Sequence, residues 1–166
     1  NTQPWLLDFR DNVIEIHPDY QKRLPVVDPH DRELFISLGC AAANICAAAH
    51  GIGYGAKVDI TAEGIIHIEL RIDDGPVCDP ASLEIIDRRQ TNRNLYNGMT
   101  IPDDDISQLR AAGGAGFYIW AKGSEGFEID GEYVLRGNIR QMNDRAFSKE
   151  LLSWMRFGRK QVETLR

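Results

Sequence analysis

Residues 28–53, DPHDRELFISLGCAAANICAAAHGIG, are the stretch on which the rest of the fold depends. Asp28 can cap a helix N-terminus, Pro29 suits the first helical position, and Glu33 places negative charge near the positive end of the helix dipole. Between residues 34 and 49 the apolar side chains fall on every face of such a helix, which is the pattern of a buried helix. The stretch therefore predicts one long buried helix against which the other elements pack.

The side chains of this helix are mostly small, because Ala41–Ala43 and Ala47–Ala49 fill two of its turns. Small residues let other backbones approach closely, so the helix suits a position between layers or at a subunit interface. The strongly apolar run is shorter than the roughly 20 residues that cross a bilayer, and its flanks are acidic and turn-like. A membrane span is therefore not predicted.

Three glycines, Gly51, Gly53 and Gly55, follow the helix and supply the positive φ that a helix C-terminus often requires. The sequence GIGYG resembles part of a dinucleotide-binding loop, but such a loop opens a helix after a strand. Here the glycines close a helix before a strand, so we interpret them as a helix stop and not as a nucleotide site.

Composition and charge restrict the class of protein. The chain has 166 residues, of which 43% are hydrophobic and 27% charged, the composition of a soluble globular protein. The net charge of -6 and the pI near 5.2 disfavour nucleic acid or an anionic membrane as the main partner. The three cysteines are odd in number and lack metal-ligand spacing, so we expect free thiols in a reducing compartment and a cytoplasmic location.

Alternating apolar residues predict four strands, at residues 5–9, 13–17, 56–61 and 65–72. Asp11 and Asn12 suit the hairpin turn between the first two strands. On the last strand the even-numbered residues Ile66 to Ile72 form the predicted buried face. The predicted fold class is therefore α+β, with an antiparallel sheet packed on the long helix.

The second part of the chain starts with a break in regular structure at residues 73–76. Beyond it the patterns predict helices at residues 79–87 and 102–112, a strand at 116–121, a loop at 124–131 and mainly helix from 132 onward. The composition shift near residues 73–79 predicts a boundary between two α+β pieces, residues 1–78 and 79–166.

The segment DRRQTNR, residues 87–93, concentrates arginines, side-chain amides and a hydroxyl. Guanidinium groups offer a planar fork of donors that fits phosphate oxygens, so a phosphate site is one interpretation. A surface network of ion pairs in an acidic protein is the other, and the segment by itself does not distinguish them.

Other polar residues give weaker signals. None of the four histidines has a partner at helical metal-ligand spacing, so we interpret all of them as solvated or capping residues and predict no metal site. Asn44 is expected to be buried and to satisfy a neighbouring backbone group. Trp5 follows Pro4 and two amide residues, a combination that suits either the edge of a planar heterocycle or a turn held in the core.

Two segments together resemble the FMN-dependent nitroreductase family. NTQPW, residues 1–5, is similar to the Asn-x-Gln-Pro-Trp segment of that family, and residues 23–58 resemble its long interface helix and following strand. The sequences of these segments and of DRRQTNRNLY, residues 87–96, most resemble the Acg-like branch of the family. Members of that branch carry two nitroreductase-like halves in one chain. We therefore expect residues 1–78 to end a first half and residues 79–166 to begin a second, in a fragment of a longer, pseudo-dimeric protein or in a half that forms a homodimer.

The resemblance implies bound FMN, NAD(P)H as the electron donor, and a nitroaromatic or quinone acceptor. It implies no catalytic side chain, because the flavin carries the redox chemistry. An FMN-sequestering protein without turnover and a purely structural half are the alternatives. The implied cofactor-binding residues are Arg88, Arg89, Thr91 and Arg93 at the phosphate, Asn1 and Gln3 near the isoalloxazine, and Trp5 in support, with Gln90 where the family more often has serine.

Overall fold

The computed structural model describes residues 3–72, 78, 80–156 and 158, with the side chain of Ser82 excepted. The predicted break at residues 73–76 and the site residue Asn1 lie outside the described residues. The chain divides into two compact units, Asn1–Thr91 and Asn92–Arg166. The first unit contains β1 (Trp5–Arg10), β2 (Val13–Pro18), a short 3-10 helix (Tyr20–Lys22), α1 (Arg32–Gly51), β3 (Gly55–Ile60), β4 (Ile66–Arg71) and α2 (Pro80–Arg88).

The first unit is a four-stranded antiparallel sheet with the strand order β1-β2-β4-β3. The strands predicted from alternation are confirmed to within a residue or two, and Asp11 has the positive φ of 50° that the tight turn between β1 and β2 requires. The α+β class and the antiparallel sheet on a long helix are confirmed in this unit. The predicted boundary near residue 78 concerns nitroreductase-like halves and stays a prediction.

Helix α1 begins later than the sequence predicts. Its first residue is Arg32 and not Pro29, and it follows Asp31, whose φ of 57° is left-handed. Asp28 nevertheless performs the predicted capping, because its Oδ2 accepts hydrogen bonds from the backbone N–H groups of Glu33 at 2.8 Å and Leu34 at 3.0 Å. The carboxylate reaches the helix from an upstream turn, so the capping residue and the first helical residue are four positions apart in sequence.

One face of α1 lies on the sheet and forms the core of the unit. Fully buried side chains include Leu38 from the helix, Ile16 from β2 and Ile68 from β4. The buried residues Leu34, Leu38, Ala42 and Ala49 recur at intervals of four and seven residues, which is the period of one helix face. The predicted inward face of β4 is confirmed for Ile66 and Ile68, whereas Ile72 is 71% exposed, because β4 ends at Arg71.

The opposite face of α1 is exposed within this chain, so the prediction of a helix buried on every side is wrong here. Gly39, Cys40 and Ala43 are exposed, and so is Asn44, which was expected to be buried. The physical reason is that the described chain packs the sheet and α2 against other parts of the helix and leaves these positions in contact with solvent.

Among the described residues, α1 is the helix that could cross a membrane by length and composition alone. It is 20 residues long, so the argument from insufficient length does not hold. Core helices of soluble proteins satisfy the same criterion. The burial of Leu34, Leu38 and Ala41 in the same cluster as Ile16 and Ile68 is the arrangement of a core helix.

The second unit contains helices α3 (Asp103–Gly113), α4 (Glu125–Asn143) and α5 (Arg145–Trp154). The strand predicted at residues 116–121 is wrong, since that segment has no regular structure and its Tyr118 and Trp120 rings stack with centroids 6.1 Å apart. The loop predicted at 124–131 is also wrong, because the Ser124 side chain accepts the Phe127 N–H at 3.3 Å and starts α4. Asp144 caps α5 in the same way.

Candidate functional site

The amide-rich turn before β1 is held by the segment that follows β2. The carbonyl of Pro4 accepts the backbone N–H of Asp19 at 3.0 Å, and the Lys22 ammonium donates to the carbonyl of Gln3 at 2.9 Å. Pro4 is buried, while Gln3 is exposed. The turn therefore has a fixed main chain and presents the Gln3 residue at the surface.

Trp5 is half-buried and packs against the core cluster. The sequence allowed two interpretations of the turn at Trp5, the edge of a heterocycle or a turn held in the core. The contact of Trp5 with the core is observed. A core position is also compatible with the supporting role that the resemblance implies, because a support need not touch the ligand. The ligand contact itself stays a prediction.

The arginine-rich stretch begins at the C-terminal end of α2. Arg88 and Arg89 line an open depression of about 450 Å³ together with Ala81, Glu84 and Ile85 of the same helix. The guanidinium of Arg88 donates to Glu84 at 3.2 Å, a surface pair in which the two side chains are 78% and 67% exposed. The ion-pair interpretation is thus observed for Arg88, and such an exposed pair leaves the guanidinium able to exchange partners.

The stretch that follows α2, residues 89–102, has no helix or strand and is exposed throughout. Asn92 makes a local turn by accepting the backbone N–H of Asn94 at 2.9 Å. Thr91 ends the first unit, and Arg93 belongs to the second. This exposed segment is accessible to a ligand. No helix or strand within it fixes the positions of its side chains relative to one another.

Of the predicted site residues, Arg88 and Arg89 share the depression on α2. A separate cavity of about 100 Å³ beside the start of α1 is lined by Pro4 and Lys22, neither of which is a predicted site residue, and the predicted Gln3 and Trp5 do not line it. These two described cavities have no lining residue in common. The joint site that the resemblance implies therefore stays a prediction.

The chemistry of the predicted residues can be compared with what the predicted cofactor requires. Guanidinium groups suit a phosphate dianion, and the depression that Arg88 and Arg89 line is open and lies along α2. The Gln3 side-chain amide can both donate to and accept from the edge of a heterocycle. The position of Arg88 and Arg89 at the negative end of the α2 dipole disfavours an anion, so the binding of a phosphate there depends on both guanidiniums.

Sequence reasoning missed a cluster on the outer face of the sheet. Glu15 lies opposite His67 in the register of β2 and β4, and its carboxylate meets His67 Nδ1 at 3.3 Å and His17 Nε2 at 2.9 Å. Each of these two histidines therefore contacts the Glu15 carboxylate and is not merely solvated. The strand alternation was the available signal, but it does not give cross-strand register. Among the described residues, no three His, Cys, Asp or Glu side chains are placed to hold a metal ion.

Ion pairs along single strands surround this cluster. Arg10 hydrogen-bonds to Asp8 and lowers the pKa of that carboxyl below its usual value, and Arg71 does the same to the pKa of Glu69. Both pairs are exposed, so they contribute little to stability.

A further cavity of about 860 Å³ opens at the far end of the sheet. Its walls are the β1–β2 turn, the segment after α1 and the end of β4, with Asp11, Asn12, Tyr54 and Arg71 as polar members. The Asn12 side chain is already used, because it donates to the Leu70 carbonyl at 3.1 Å. The cavity contains none of the predicted site residues.

The fold and these residues define the first unit as an α+β protein with an antiparallel sheet on a central helix and an amide-rich turn at the sheet's edge. Comparison with known proteins gives a more specific similarity. The chain is similar to proteins from two strains of Mycobacterium tuberculosis, each with the name "Putative NAD(P)H nitroreductase". Each alignment is 26% identical over 166 residues and covers 95% of this chain and 47% of the relative.

The chain thus spans about half the length of the curated relatives it matches. No protein-family model matches the chain, and no solved structure matches it significantly. The relatives' shared name supports the resemblance of the sequence to nitroreductases. The Acg-like branch stays a prediction.

Proposed function

We propose that this chain is part of an FMN-dependent oxidoreductase that takes hydride from NAD(P)H and passes it to a nitroaromatic or quinone acceptor. The single observation that supports this most is the similarity to two proteins named as NAD(P)H nitroreductases over 95% of the chain. The buried Pro4 beside exposed Gln3, and Arg88 and Arg89 lining the same depression, are the structural features that suit the cofactor.

In this proposal FMN supplies the redox chemistry, by accepting two electrons from the nicotinamide and returning them to the acceptor. The protein residues bind and orient the cofactor. Arg88, Arg89 and Arg93 would neutralise the phosphate and Thr91 would hydrogen-bond it, while Gln3 and Asn1 would contact the edge of the ring system. Donors at that edge would stabilise negative charge on the bound ring system.

A second half completes the proposed site. The relatives are about twice as long as this chain, and the face of α1 that carries Gly39, Cys40 and Ala43 is exposed. We propose that this face contacts either a second copy of the chain or a second nitroreductase-like half. Small residues there allow a close approach of another backbone.

The experiment is flavin retention after gel filtration, measured by absorbance near 450 nm on protein loaded with FMN. The double variant Arg89→Ala with Arg93→Ala is expected to lose the yellow colour, because two of the cations proposed to hold the phosphate are gone. The matched control is Arg136→Ala with Arg140→Ala, a pair of exposed arginines at the same four-residue spacing on α4. Undiminished flavin in the first variant would contradict the proposal.

The alternative is an FMN-binding protein without turnover, which the same similarity leaves open. NADH and NADPH oxidation by the flavin-loaded protein separates the two, with menadione or nitrofurazone as acceptor. Bound FMN without oxidation of either donor would favour sequestration. A colourless protein that takes up no FMN and forms dimers would favour a structural role.

A further inference from the structure

The segment between β2 and α1 connects the amide-rich turn to the central helix. Asp19 accepts the backbone N–H of Gln21 at 3.1 Å and so caps the short 3-10 helix Tyr20–Lys22. At the other end of this helix Arg23 donates to Asp31 at 2.7 Å, just before α1, and its guanidinium lies 5.5 Å from the Tyr20 ring centroid. The Arg23–Asp31 contact thus holds the 3-10 helix next to the start of α1.

The same segment holds the turn at residues 3 and 4 through two backbone carbonyls. Asp19 donates its N–H to Pro4, and the Lys22 ammonium donates to Gln3 while pairing with the Asp19 carboxylate at 3.1 Å. The Asp19 side chain is only 12% exposed, which strengthens its pair with Lys22 relative to a pair in open solvent. A bond from a charged donor to a carbonyl is stronger than a neutral one.

The cavity beside Lys22 is too small to contain the cofactor. Its volume of about 100 Å³ is well below the several hundred Å³ of small-ligand sites, although Pro4 and Lys22 both line it. Lys22 therefore contacts the turn without lining a cavity large enough for the cofactor within this chain.

We propose that Lys22 is a positioning residue, which fixes the main chain of Gln3 so that the Gln3 amide faces the flavin. This inference rests on the proposed function. It adds a residue outside the turn and the arginine stretch, and it ties the geometry of the turn to α1 through Asp19, Arg23 and Asp31.

The test compares the wild-type chain with Lys22→Met, which keeps the length of the side chain but removes its charge and donors. Lys22→Arg is the conservative variant. Lys57→Met is the matched control, because Lys57 also pairs with a nearby carboxylate, Asp59 at 2.9 Å, but lies on β3 away from the turn. FMN affinity is measured by quenching of flavin fluorescence, and local order by amide hydrogen exchange with mass spectrometry.

We expect Lys22→Met to weaken FMN binding about tenfold, the loss of one charge-assisted hydrogen bond. We expect amide exchange to accelerate in peptides that cover residues 3–9 and 17–21 and to stay unchanged in residues 55–60. Lys22→Arg should recover most of the affinity, since a guanidinium can also donate to the Gln3 carbonyl. Lys57→Met should behave as wild type in both measurements.

Equal FMN affinity in wild type and Lys22→Met, or unchanged exchange at residues 3–9, would overturn the positioning role of Lys22 and leave the proposed function standing. Faster exchange throughout the chain would also overturn it, because it would show general destabilisation. A wild-type chain that binds no FMN would instead overturn the proposed function.

Discussion

The carboxylate of Asp28 lies 3.0 Å from the backbone N–H of Leu34, and both residues are buried at the start of the central helix. Asp28 is 6% exposed and also accepts the N–H of Glu33. Two of the helix's unpaired N-terminal donors are therefore satisfied by one side chain from the preceding turn.

Replacing Asp28 with Ala is expected to lower the free energy of unfolding by about 2 kcal/mol, because the part-buried N–H of Glu33 and the buried N–H of Leu34 lose their acceptor. Urea unfolding followed by circular dichroism measures this. Asp87→Ala, an exposed position in α2, is the control and should change stability by less than about 0.5 kcal/mol. Similar small effects in both variants would contradict the capping role.

Replacing Leu38 with Ala is expected to cost about 3 kcal/mol, since its side chain is fully buried against Ile16 and Ile68 and leaves a cavity. Ile36 lies on the same helix but is 45% exposed, so Ile36→Ala is the matched control and should cost about 1 kcal/mol or less. A reversal of this order in chemical unfolding would mean that the outward face of α1 is the better-packed one.

Two glycine substitutions should act in opposite directions. Gly64 has a φ of 81°, and a Cβ there would collide with the Phe35 ring, so Gly64→Ala should lower the melting temperature.

Gly39 lies within α1, and a Cβ there meets nothing within 4 Å, so Gly39→Ala should raise stability by about 0.5–1 kcal/mol. If Gly39→Ala also prevents dimer formation, the face that carries it is an interface.

The thiols of α1 should react at different rates. Burial raises the pKa of Cys46, which lowers its thiolate fraction at any pH below that pKa, whereas Cys40 is exposed. We therefore expect iodoacetamide at pH 8 to alkylate Cys40 about fivefold faster than Cys46 in the native monomeric chain. Peptide mass spectrometry measures both sites, and the difference should disappear in denaturant; equal native rates would contradict the burial of Cys46.

Most of the first unit could be predicted from local patterns. Period-two alternation marked β2 and β4, the turn residues Asp11 and Asn12 marked the hairpin, and the glycines after residue 50 marked the end of α1. The second unit was harder, because GFYIWA alternates as a strand does but has no neighbouring strand among the described residues to pair with. Pairing, and not propensity alone, makes a strand.

The candidate site was predictable only as separate residue groups. The contacts of Gln3 and Pro4 with Lys22 and Asp19 join positions 15 to 19 residues apart, and the pairing of Glu15 with His67 spans the whole of α1. Neither follows from spacing, since each depends on how the chain returns after a turn.

The sequence by itself determined the α+β class, the strands, the central helix and the capping role of Asp28, because these depend on the period of apolar residues and on interactions within a few positions. The tertiary structure decided which face of α1 is buried, where α1 begins, and that Lys22 holds the turn that carries Gln3. Those outcomes depend on which distant segments come together in one sheet. Several faces of α1 are equally apolar in sequence, and the packing of the sheet determines which of them is buried.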